Sequence, residues 1–174
     1  MRAVKSLTNN KFLNIKEVCD PDNHVRGYQY AERLGKDSVA FVCYDYTTNE
    51  ILLNSEYKPP INEFILGAFG GSIDKDKNIK QIVIEEVREE AGFEVTEGDC
   101  LSMGRVFVST QMNQFCYLFM VLVDRRKQKE RSPENEVEAM AVTKWIDWNS
   151  DITDLSDWKA ITIMSKYEKI LNLL

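Results

Sequence analysis

The chain has 174 residues, 44% of them hydrophobic and 29% charged, a balance that suits one folded domain and argues against a disordered chain. Lys and Arg number 22 against 28 Asp and Glu, a net charge of -6, which argues against a protein that coats nucleic acid or an anionic membrane, since both need a basic face. A small anionic ligand is still admitted, because a bound divalent cation inverts the local sign.

Residues 12–33 read as one or two short strands, 12–18 and 25–33, joined by the turn Asp20-Pro21-Asp22-Asn23. The apolar run 38–44 is a buried strand, and 50–57 returns beside it with Ile51, Leu52 and Leu53 until Pro59-Pro60 breaks it. A short strand, 64–69, ends at Gly70-Gly71. The period then changes. Residues 79–91 read as a helix, with Asn78 as N-cap, Gln81 in the capping-box position and Gly92 just past the end. Segments 100–108 and 116–123 form a hairpin around the loop 109–115. A charged loop, 124–136, leads to a last strand, 137–146, and an amphipathic helix, 156–174, with Ile161, Met164, Tyr167, Ile170 and Leu171 at helical spacing. Strands, helix, strands, helix predict an α+β fold with a mixed sheet between helices, not a repeating βαβ fold.

Cys19, Cys43, Cys100 and Cys116 are widely spaced and there is one histidine, so neither a zinc site nor a disulfide framework is expected, and a reducing cytoplasm is the natural compartment. The first 18 residues lack the apolar stretch of a signal peptide, and the longest apolar run, 118–123, is too short to span a bilayer. A soluble cytoplasmic protein is the expectation, with no nucleic acid and no membrane as partner.

The predicted helix carries the chemistry. With Glu86 at zero, Glu89 lies near about -60° and Glu90 near about +40°, so three carboxylates share one face. Val83, Ile84, Val87 and Ala91 cluster on the adjacent face and pack on the sheet. A solvated acidic face is the plain alternative, but the acids sit toward the helix C-terminus, where the dipole disfavours them, while Lys77 and Lys80 occupy the start. A hard divalent cation relieves the crowding, which points to Mg2+ or Mn2+.

Gly71, Glu86, Val87, Glu89, Glu90, Gly92 and Phe93 resemble the Nudix box, G-x5-E-x7-R-E-U-x-E-E-x-G-U, with U a bulky apolar residue. Seven of the nine specified positions agree. Lys77 stands where the first glutamate belongs, and Glu85 where the arginine belongs. The flanking sequence, with SEYKPP at 55–60 similar to a Q-x-R/K-P segment, resembles the ADP-ribose and nucleotide-sugar pyrophosphatase branch of the family. That branch carries a glutamate four residues before the box glycine, a position held here by Gly67.

The resemblance implies an α/β/α sandwich at 37–174 as catalytic domain, and at 1–36 a small antiparallel sheet that pairs two copies into a homodimer. It implies hydrolysis of the pyrophosphate bond of ADP-ribose or a related nucleotide sugar, releasing a nucleoside monophosphate and a sugar phosphate. Glu86, Glu89, Glu90 and the Gly70 carbonyl would hold Mg2+ or Mn2+. Glu136 or Glu134, in the loop before the last strand, would serve as general base. Lys58 would contact phosphate, and Arg26 and Arg33 would reach the substrate across the dimer. Phe69, Phe107 and Phe115 are better explained as core than as base-stacking groups. A nucleotide-binding sensor on the same fold is the runner-up, favoured by Lys77 and Glu85. RNA decapping is disfavoured by the charge.

Overall fold

The strand Ser38–Asp45 is apolar on both faces, and that fixes it at the centre of the molecule. Val39, Phe41 and Cys43 pack into one core and Ala40, Val42 and Tyr44 into another, as the two-residue period of a strand requires. A strand buried on both sides must be covered by helices on both sides. The computed structural model describes residues 1–33, 35, 37–73, 77–133 and 136–173. It contains two sheets.

The first sheet is antiparallel, with strands β1 (Ala3–Ser6), β2 (Leu13–Asp20) and β3 (Val25–Arg33) in chain order. The expected turn at Pro21–Asn23 is a single 3-10 turn, closed by His24 in a left-handed conformation, φ 58. Strand β1 was not expected; four exposed residues are too few to show a period.

The second sheet has seven strands: β4 (Ser38–Asp45), β5 (Glu50–Lys58), β6 (Glu63–Gly67), β7 (Phe69–Ser72), β8 (Cys100–Phe107), β9 (Phe115–Val123) and β10 (Val142–Asp147). The order is β10-β5-β4-β9-β8, with β6 paired to β5 and β7 paired to β4. The β4–β9 pair is parallel and the others are antiparallel, so the sheet is mixed as predicted. Helix α1 (Ile79–Glu86) covers one face, and α3 (Trp158–Leu171) covers the other with Ala160, Ile163, Met164 and Tyr167 buried. A short helix, α2 (Glu136–Met140), packs against β5.

Two expectations are corrected. The strand placed at 64–69 is interrupted at Ala68 and resumes through Gly70 and Gly71 to Ser72, because both glycines pair with β4, at Ala40 and Val39. The strand placed at 137–146 is helical over its first residues and starts only at Val142. Glu, Ala and Met are strong helix formers, and an apolar-acidic alternation this short fits either period.

Asp45 organises the end of the central strand. It is fully buried, and its carboxylate accepts from Thr47 N and Thr47 Oγ1, both at 2.7 Å, and from Arg125 N at 2.8 Å. Burial pushes its pKa up, but the hydrogen bonds from Thr47 and from the Arg125 and Thr48 backbone outweigh that and hold it below the usual value. Asp45→Ala leaves these donors unpaired and is expected to cost about 2–4 kcal/mol in denaturant unfolding. A loss under 1 kcal/mol would mean that water replaces the carboxylate.

Candidate active site

Helix α1 begins where the Asn78 side chain accepts from Lys80 N at 3.0 Å. Beyond Glu86 it widens into a π-helical turn, Val87–Ala91, and stops at Gly92, φ 78. A side chain at Gly92 would be strained by that φ and would run into the Lys129 carbonyl oxygen, so glycine is required twice over. Ile82, Val83, Val87 and Ala91 are buried against Val39, Phe41, Phe69 and Phe119. Ile84, expected in that cluster, is half-buried at its edge.

The π turn matters for the acids. A wider turn rotates less per residue, so Glu90 falls on the other side of Glu86 from where a regular helix would place it. The Glu90 carboxylate accepts from Gly70 N at 3.3 Å. Burial raises its pKa most, and the charges of Glu86, Glu138 and Glu56 add to that against the Gly70 hydrogen bond; the result is about 8. Acids from α1, β5 and α2 therefore bear on one half-buried carboxyl.

Gly71 completes the arrangement. A Cβ there would collide with the Glu86 carboxylate, so Glu86 lies directly against the bare backbone of β7. Gly67 has a similar reason: its Cβ would fall 2.5 Å from the Asp157 Cβ, and Asp157 caps α3 by accepting from Ala160 N at 2.8 Å. A glutamate cannot occupy position 67 with α3 capped in this way.

The two departures from the box meet each other. Lys77 Nζ lies 2.5 Å from Glu85 Oε1, so the two departing residues form an ion pair with each other. Arg88 instead pairs with Glu89 at 2.9 Å. Lys77→Glu is expected to cost about 1 kcal/mol, and adding Glu85→Arg to restore most of it, in denaturant unfolding. Purely additive losses would show that the pair contributes nothing.

Among the described residues, no group of three or more His, Cys, Asp or Glu is gathered closely enough to hold a metal ion. The donor chemistry nonetheless fits a hard cation: Glu86 and Glu90 present oxygens beside Gly70 and Gly71, with Glu56 and Glu138 near.

The remaining expected residues are dispersed. Lys58 pairs with Glu56 at 2.6 Å, which brings it to the edge of the acidic group. Arg33 Nη2 donates to Ser72 Oγ at 2.7 Å, placing it at the end of β7. Arg26 is exposed on β3, away from these contacts, beside a cavity lined by His24, Tyr28 and Gln111. Glu136 is exposed at the start of α2, and Glu134 lies outside the described residues. Phe69 is core, stacked on Phe41 at 5.1 Å. Phe107 and Phe115 line a cavity of about 530 Å³ between the two sheets, with Tyr28, Tyr30 and Arg105.

Glu56 and Glu138 were not among the expected residues. Glu138 belongs to a run of acids already visible at 130–138, and Glu56 lies inside the segment SEYKPP.

No family model matches the sequence, and no curated protein matches it. The fold does have solved counterparts. One is the crystal structure of an ADP compounds hydrolase, with a TM-score of 0.75 and 15% sequence identity, covering 98% of this chain and 92% of that one. At that identity the likeness shows a shared fold.

Proposed function

We propose that this chain is a Nudix-type pyrophosphohydrolase that uses Mg2+ or Mn2+ to hydrolyse ADP-ribose or a related nucleotide sugar. One observation carries the reading. Glu86 and Glu90, at box positions, are held against Gly70 and Gly71, with the charges of Glu56 and Glu138 bearing on the half-buried Glu90 carboxyl. The likeness in fold to an ADP compounds hydrolase supports the same substrate class.

Glu86, Glu89, Glu90 and the Gly70 carbonyl would hold the cation. When bound, it supplies Lewis-acid polarisation of a phosphoryl oxygen and a lowered pKa for water. The chain's own residues do the rest. Lys58, beside Glu56, neutralises phosphate charge on the rim. Arg33, at the end of β7, offers a second cation to the same group. A carboxylate from the segment 134–138 takes the proton of the attacking water as its oxygen bonds to phosphorus and the bridging P–O bond breaks. Glu136 and Glu134 hold that role by resemblance.

The test is a panel of ADP-ribose, UDP-glucose, GDP-mannose, NADH, dinucleoside polyphosphates and nucleoside triphosphates, each with Mg2+ or Mn2+. Release of a nucleoside monophosphate from a nucleotide sugar, lost in EDTA, is the expected result. Tight binding of one compound with no turnover of any would replace the enzyme by a ligand sensor.

A further inference from the structure

Asn54 follows an apolar run, Ile51-Leu52-Leu53, in the middle of β5. It is 5% exposed, and its Oδ1 has no hydrogen-bond partner among the described residues. A buried amide oxygen without a partner opposes folding, and an apolar side chain of that size would avoid the penalty. Such a group calls for an explanation.

Side chains alternate along a strand, so the oxygen's direction follows from its neighbours. Leu53 packs into the core beneath α3, whereas Leu52 packs with Val87, Ala91 and Phe93 beneath the box helix. Asn54 and Glu56 share the face of Leu52. Glu56 is one of the acids whose charge bears on Glu90. Helix α2, which carries Glu138, packs on the same strand. Asn54 Oδ1 is thus aimed into the region where Glu56, Glu86, Glu90 and Glu138 converge.

An amide carbonyl is a hard oxygen without charge. Mg2+, Mn2+ and Ca2+ accept such oxygens beside carboxylates. In a site already crowded with negative charge, a neutral donor adds a ligand without adding repulsion. We propose that Asn54 Oδ1 is a donor of the cation site, taking the ion directly or through one of its waters. This rests on the metal-dependent reading above.

The experiment is calorimetric titration of MnCl2 into EDTA-stripped wild type, Asn54→Leu and Asn54→Val, with melting temperatures recorded with and without the ion. Wild type is expected to bind. The variants are expected to melt no lower than wild type in EDTA, to bind Mn2+ about tenfold or more weakly, and to show a smaller Mn2+-induced rise in melting temperature. Opposite movement of stability and affinity is what a merely structural asparagine would not produce. Wild-type affinity in both variants, or lost affinity together with a marked drop in the EDTA melting temperature, would overturn the role of Asn54 and leave the metal-dependent reading standing. A wild type that binds neither Mn2+ nor Mg2+ would overturn both.

Discussion

Glu90→Gln is expected to lose metal-dependent turnover by on the order of 100-fold or more and, in EDTA, to become more stable than the wild type. The two effects have one cause. Glu90 has a pKa of about 8 in the folded chain against an ordinary 4.5, so folding favours its protonated form. The stability tied to that proton is complete below about pH 4.5 and is lost as the pH rises to about 8. Glutamine does not ionise, so its advantage grows through the same window, to on the order of 3 kcal/mol at its upper end. Denaturant unfolding at about pH 5 and about pH 8.5 measures it. An advantage that did not change with pH would mean that neither burial nor the charges of Glu86, Glu138 and Glu56 raise the Glu90 pKa. Added Mn2+ is expected to reverse the order, because it stabilises only the protein that binds it.

Gly71→Ala is expected to lose activity while keeping its fold. The new methyl takes the place of the Glu86 carboxylate, the flexible end of a side chain, so the strand itself need not move. Mn2+ affinity and turnover should fall together, by roughly 10- to 100-fold, with stability changed by about 1 kcal/mol or less. Gly70→Ala is the contrast. Its Cβ would sit 2.7 Å from the Val39 carbonyl oxygen, which is backbone in the paired strand β4, so that variant should lose stability first. If Gly71→Ala unfolded at the same denaturant concentration as Gly70→Ala, the gap at Gly71 would serve the fold and not the site.

The sandwich was legible in the sequence because β4 and β9 are long apolar runs and α3 is strongly periodic. Asn78 and Gly92 marked the ends of the box segment for reasons of local chemistry, and both act as caps. Short elements were harder. β1 has four residues, and the segment 136–140 alternates in a way that a strand and a helix share. Within the candidate site, spacing alone placed Glu86 and Glu90 on one side of a helix. It could not show the π turn, which depends on packing, or bring Glu56 and Glu138 to the same carboxyl, which depends on how β5 and α2 fold over the box. Lys77 and Glu85 each departed from a pattern when read singly, and only distance in space joined them.

The parallel pairing of β4 with β9 also bears on the order of folding. Ser38 aligns with Cys116, a separation of 116 − 38 = 78 residues. Closing so long a loop forfeits chain entropy before any contact repays it. Asn54, Gly70, Gly71, Glu86 and Glu90 all lie inside that loop. During synthesis, therefore, β9 must leave the ribosome before the central sheet can close around the box. Until then β4 lacks its parallel neighbour, although its antiparallel pairings with β5 and β7 lie within the loop. Glu138, beyond β9 in the chain, joins the charges around Glu90 later still.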